Sequence, residues 1–293
     1  MNSEIPTINN KELLNIGLLQ KLSILSIDVV IGSLFCGVLV VKLLRIDLGF
    51  AWWFVLPISV WIIYTLDHII DGYKLKENVH TSRHYFHFQY FKPLIYILLI
   101  VAVINLILVL FFLEKQIVIF GVIAAFITGL YLFGVYVFRK KRSWFFQKEL
   151  FVAIVYTIGI WGGPASLIAF NLLPFQWLCL IVFFILVFTD LLIFSLYESE
   201  ADRLDGHNTL ALNLGKKGIE KLIFINIVLV FLISIALIIF SQDQIVLVSA
   251  KIFMIMGFTL ACLIVFQNKL SKNSLYRYLG ELVFWLPGIA LLV

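Results

Sequence analysis

Two pairs of carboxylates carry the clearest chemical signal in this chain. Glu198 and Asp202 stand four residues apart, and so do Asp67 and Asp71. On a helix that spacing stacks both carboxylates of a pair on one face. Each pair closes a long apolar run, Ala51 to Ile70 in one case and Trp177 to Leu196 in the other. Acids bordering such runs are costly, about 2.5–3.5 kcal/mol at the centre of a span on insertion scales, and usually face an interior cavity. Four of them at one mouth repel each other unless a cation joins them. Mg2+ takes hard oxygen ligands from few carboxylates and completes its shell with water and substrate phosphates. The arrangement therefore points to a magnesium-bound diphosphate whose greasy tail lies among the spans. Asp67, Asp71, Glu198 and Asp202 would hold the metal. Basic residues nearby, Arg83, Lys140 and Arg203, could take up charge as the diphosphate leaves. A plainer reading, in which the acids only mark the water interface, stands beside this one; the duplicated spacing favours the shared site.

Long apolar helices must position these groups, and the composition provides them. Hydrophobic residues make up 62% of the chain and charged residues 13%, against about 25% charged in a soluble domain. A membrane-spanning helix needs roughly 20 predominantly apolar residues. Runs of that kind predict spans near 22–43, 50–70, 92–113, 116–138, 149–170, 174–197, 221–241, 244–267 and 275–293. The expected fold is all-α: a polytopic membrane protein of nine transmembrane helices in one bundle, a single membrane domain over 1–293. Residues 1–21 form a polar segment without the apolar core or cleavage pattern of a signal peptide. Residues 71–91 and 198–220 are expected to be loops carrying the motifs. Glu114–Lys115, Asn171–Pro174 and Ser241–Gln244 read as tight links between antiparallel helices, and the last run carries Arg277 and Glu281 inside it. Cys36, Cys179 and Cys262 all fall within apolar runs, which suggests small core residues rather than disulfides or a thiolate metal site.

Eighteen of the 22 lysines and arginines fall on one side of this topology. The positive-inside bias assigns that side, with the N-terminus and both motif loops, to the cytoplasm, and the C-terminus to the outside of an inner membrane. Spans two and six then run in the same direction, so both carboxylate pairs reach one face. Nothing in the composition required that agreement.

These residues resemble the UbiA superfamily of membrane prenyltransferases. Glu198-x-x-x-Asp202-Arg203-x-x-Gly206-x-x-Thr209-Leu210 is similar to the family's second acidic motif, DxxxDRxxGxxTL. Asp67-x-x-x-Asp71 with Thr81-x-Arg83 downstream resembles the first motif, and Tyr136-x-x-x-Lys140 resembles a YxxxK element. The resemblance follows nearly the whole chain in order and spacing. It departs where the family's opening Asn and Asp would stand, at Ile63 and Tyr64, where Glu198 replaces an Asp, and where His84 replaces a Pro. The resemblance implies a nine-helix fold and Mg2+-assisted ionisation of an allylic prenyl diphosphate. The carbocation would be captured by a lipophilic acceptor such as a quinone, haem or pigment precursor. It implies catalytic roles for Asp67, Asp71, Glu198, Asp202, Tyr136 and Lys140, with Arg83, Lys140 and Arg203 on the diphosphate. A relative acting on a polyprenyl or carotenoid substrate without diphosphate loss is the alternative left open by the altered first motif.

Other features invite competing readings. All five histidines, His68, His80, His84, His87 and His207, lie in or beside the motif loops, yet they are too few in one cluster for a di-iron oxygenase. Asp28 and Asp190 sit among apolar neighbours, as the proton relays of a transporter do, although no inverted repeat is visible. Gly162-Gly163-Pro164 leaves room either for a lipid tail or for close helix packing. The basic run Arg139 to Arg142 has an ordinary explanation as an anchor against anionic lipid, and the resemblance alone singles out Lys140. The lipid bilayer is the expected surrounding, and neither a nucleic-acid nor a protein partner is inferred.

Overall fold

The computed structural model describes residues 18–75, 82–137, 148–206, 209–271 and 274–292, and among these there is no strand. A short helix α1 (Leu18–Ile24) leads into α2 (Ile27–Leu44) through Ser26, and α3 (Trp52–Leu75) follows. Next come α4 (Ser82–Gln89), α5 (Phe91–Phe112) and α6 (Lys115–Val137). The second half comprises α7 (Lys148–Leu167), α8 (Pro174–Asp205), α9 (Leu210–Phe240) and α10 (Gln244–Val265). A single turn α11 (Gln267–Leu270), then α12 (Leu275–Val283) and a 3-10 segment, Leu286–Leu292, complete the chain. Among the described residues eight segments are long and apolar enough to cross a bilayer, with Leu275–Leu292 the last, and α6 adds a shorter apolar stretch, Lys115–Leu130. The protein is therefore an integral membrane protein. Helices suit this role because their backbone groups bond internally and need no water in the lipid interior.

Around the bundle, α2 packs against α3, α7 and the final segment, while α8 is flanked by α7, α9 and α10. Leu39 and Leu43 of α2, Ile160 and Trp161 of α7, and Phe183 and Leu186 of α8 are buried in the core. α5 leans on α3 and α4, and α6 on α7, so both turn broad apolar faces outward, as lipid-facing helices do. The Gly162-Gly163-Pro164 sequence stays helical inside α7. A Cβ at Gly162 would stand 1.9 Å from Phe120 of α6, and one at Gly163 would stand 3.0 Å from the Trp52 indole nitrogen. These glycines serve close helix packing.

The two ends of the bundle differ in character. At one end Gln176 of α8 donates to the Leu43 carbonyl at 2.7 Å, and Arg45 pairs with Asp243 at 2.7 Å. The C-termini of α3 and α8 meet the N-termini of α7 and α12 at the other, where the candidate site lies.

Both expected motif loops contain more helix than the hydropathy pattern showed. α3 runs to Leu75, α4 occupies 82–89, and α8 continues to Asp205, ending on Gly206 with φ 70°. Gly206 donates its N–H to the Arg203 and Asp202 carbonyls in a left-handed turn that glycine adopts without strain. α9 already begins at Leu210, with a break at Gly215 (φ 68°) that continues into the seventh span. Apolar runs mark where lipid ends; backbone hydrogen bonding carries these helices further into water.

Candidate functional site

The first acidic pair lies one turn apart near the end of α3, and its carboxylates converge on the residue that opens α7. Lys148 Nζ is 2.9 Å from Asp67 Oδ2 and 3.0 Å from Asp71 Oδ2. A cation at a helix N-terminus works against the helix dipole, so the two carboxylates account for this lysine's placement. The Lys148 side chain is 39% exposed and that of Asp71 only 7%, so the ammonium sits at the mouth with the acids beneath it.

On α8, the second pair is held by α12. Glu198 Oε1 accepts from the Arg277 guanidinium and from the Tyr276 hydroxyl, the latter at 2.9 Å. Tyr276 stacks on Tyr197 at 4.1 Å between centroids, and the Arg277 guanidinium lies 5.6 Å from the Phe194 ring. Tyr197 in turn donates to the Leu263 carbonyl of α10 at 2.6 Å, which fixes the stack. Asp202 is half-buried and within electrostatic reach of both Glu198 and Lys148.

Glu149, next to Lys148, ties three helices together. Its Oε1 accepts from Ser195 Oγ at 2.8 Å and from the Leu210 N–H at 2.7 Å, so a carboxylate on α7 caps the first turn of α9. The formal N-cap, Thr209, makes no side-chain cap bond.

Arg83 enters from α4 and is buried. Its Nη2 donates to the Ser23 carbonyl at 2.8 Å and hydroxyl at 3.0 Å, and its Nη1 lies 3.2 Å from His68 Nε2. Burial, and then the like charge of Arg277, push its pKa down to about 10, against the pull of Glu281, Asp28 and Glu198. His87 Nδ1 lies 2.8 Å from the Arg83 carbonyl, and burial pushes its pKa down to about 4. Deeper in the bundle Asp28, Asp190 and Glu281 are buried within electrostatic reach of Arg83 and Arg277. Gly280 makes room there: a Cβ would stand 2.6 Å from Asp190 Oδ1.

A UbiA homologue from Aeropyrum pernix K1, solved in the apo state, superposes on this architecture with a TM-score of 0.61. The match covers 90% of this chain and 96% of the homologue at 14% sequence identity. The chain has the UbiA fold. No protein-family model and no curated protein sequence matches it.

On this UbiA fold the structure brings Asp67 and Asp71 together on Lys148, with Asp202 within electrostatic reach of that lysine and of Glu198, which Arg277 holds. Arg83 joins from beneath. Arg203 is not drawn in: its side chain is 69% exposed and its nearest acid is Glu200, at 3.8 Å. Lys140, His80 and His207 lie outside the described residues, as do the side chains of Tyr136 and His84. Tyr64, standing where the family has an Asp, sets its ring edge-on to His68. Sequence reasoning missed Lys148 and Tyr276. It noted Arg277 and Glu281 only as charges interrupting the last span. Two charged residues inside an apolar run were the available signal.

As arranged, the acids do not fit a magnesium ion. The space between Asp67 and Asp71 is held by Lys148 Nζ, and Glu198 Oε1 is engaged by Arg277 and Tyr276. Among the described residues no three His, Cys, Asp or Glu side chains group into a metal site; the histidine cluster of the di-iron reading lies largely outside them.

Proposed function

We propose that this protein transfers a prenyl group from an allylic prenyl diphosphate to a lipophilic acceptor at the membrane. One observation carries the reading: Lys148 pairs with both acids at the end of α3, and the acid-bearing end of α8 lies within its electrostatic reach, at one end of a membrane bundle with the UbiA fold. The bond between the allylic carbon and the diphosphate oxygen breaks, and its electron pair leaves with the diphosphate. The electron-rich acceptor bonds to the carbocation and releases a proton. Lys148 at the mouth, with Arg83 and Arg277 beneath, supplies fixed positive charge toward the leaving group. The Tyr276–Tyr197 stack beside Glu198 offers ring faces that shield a carbocation. Magnesium enters this reading as a partner of the substrate's diphosphate. The site faces the cytoplasm of an inner membrane by the charge bias of the loops, with the C-terminus outside.

Purified protein incubated with prenyl diphosphates of several lengths, with and without Mg2+, tests this directly. Diphosphate should be released by the wild type and not by Asp202→Asn. No release with any chain length or acceptor would remove the transferase reading. A second reading, a UbiA-like enzyme acting on a polyprenyl or carotenoid chain without diphosphate loss, draws on the internally compensated acids and on Ile63 and Tyr64 in the first motif; it predicts product without released diphosphate. Proton-coupled uptake dependent on Asp28 or Asp190 would favour a transporter instead.

A further inference from the structure

We propose that Lys148 is a built-in cation that replaces a divalent metal ion at the first acidic pair. Its ammonium lies almost equally far from Asp67 Oδ2 and Asp71 Oδ2, at 2.9 and 3.0 Å, where a metal shared by both carboxylates would sit. A divalent ion added there would meet the lysine's positive charge at close range, so the two cations exclude each other. Mg2+ also demands a near-octahedral shell of oxygen ligands. Ile63 and Tyr64 stand one turn before Asp67 and two before Asp71 on the same helix, and neither brings a carboxylate or amide oxygen to help complete such a shell. The same chain that lacks those donors places a lysine against the remaining two.

An ordinary salt bridge that only anchors the start of α7 would be expected to lie away from the second pair. Lys148 is instead partly exposed at the mouth and within electrostatic reach of Asp202. In that position its charge is available to an anionic head as well as to the acids. The first half of the site is therefore loaded with positive charge by the fold itself.

This inference concerns metal affinity and does not depend on prenyl transfer. The full chain, purified in detergent, is titrated with Mn2+ alone and free Mn2+ is read by electron paramagnetic resonance. Wild-type Mn2+ binding should be unchanged by Asp67→Asn. Lys148→Met should add one bound Mn2+, and the double variant Lys148→Met/Asp67→Asn should lose it again. Lys148→Arg, which keeps the charge, should add none. Lys148→Gln serves as a second neutral variant, and size-exclusion profiles select the folded preparations. If wild-type binding already falls with Asp67→Asn, or if both neutral variants fold and add no Mn2+, the proposal is overturned.

Discussion

Removing the Glu149 carboxylate should loosen the candidate site's scaffold more than any other single change at that end of the bundle. Its Oε1 is the shared acceptor for Ser195 Oγ and the Leu210 N–H, at 2.8 and 2.7 Å, and the residue is buried. A hydrogen bond to a charged group contributes about 1.5–3 kcal/mol, and a buried donor left without an acceptor costs about 1–3 kcal/mol. Glu149→Ala strands two donors and withdraws a negative charge from the start of α9, so a loss of about 3–5 kcal/mol is expected. Glu149→Gln keeps an acceptor oxygen but forfeits the charge, and it sets an amide where Oε2 has no hydrogen-bond partner; about 1–2 kcal/mol is expected. Thr209→Val removes a buried hydroxyl that also has no partner and should be nearly neutral. Reversible unfolding in mixed micelles, followed by circular dichroism, measures all three. Wild-type stability in Glu149→Ala, or a larger loss in Thr209→Val, would refute the assignment of the cap to Glu149.

Gly162→Ala places a methyl group against Phe120 and should cost about 1–3 kcal/mol by overpacking, read from the same unfolding curves. His87 is held neutral, with its pKa lowered from 6.5 to about 4, so below pH 6.5 the unfolded chain takes up a proton that the folded one does not. Stability is full above that pH and falls by about 3 kcal/mol as pH drops toward 4, then levels off; His87→Phe should flatten this part of the profile. In the diphosphate-release assay Arg203→Ala, an exposed change worth within about 0.5 kcal/mol, should stay within about threefold of wild type. Arg277→Met should lose about tenfold or more, because the half-buried Glu198 loses its charged partner and keeps only the Tyr276 hydroxyl.

Much of this architecture could be read from the apolar runs, because a span must be long and greasy wherever it sits. The convergence of two acidic pairs on one face followed from span direction alone. Helix ends were harder, since α3 and α8 continue past their apolar stretches and α4 is too short and polar to show in hydropathy. Of the candidate site, the four acids were legible from spacing and Arg83 from the motif it resembles. Lys148 was hidden as one basic residue among several in a loop, since its partners lie 77 and more residues away along the chain. Arg277 and Glu281 read as defects of a span because the acids and bases that justify their burial come from other helices. For Arg203 motif position suggested a role, and the helix leaves its side chain exposed beside Glu200.

Binding of a non-hydrolysable prenyl thiodiphosphate, measured by calorimetry in wild type, Asp71→Asn, Asp202→Asn and the double variant, tests most directly whether the ends of α3 and α8 form one site. The account predicts binding in the wild type and a non-additive double loss, with a coupling of about 0.5–3 kcal/mol between the two acids. Independent, additive losses, or no binding at all, would contradict it.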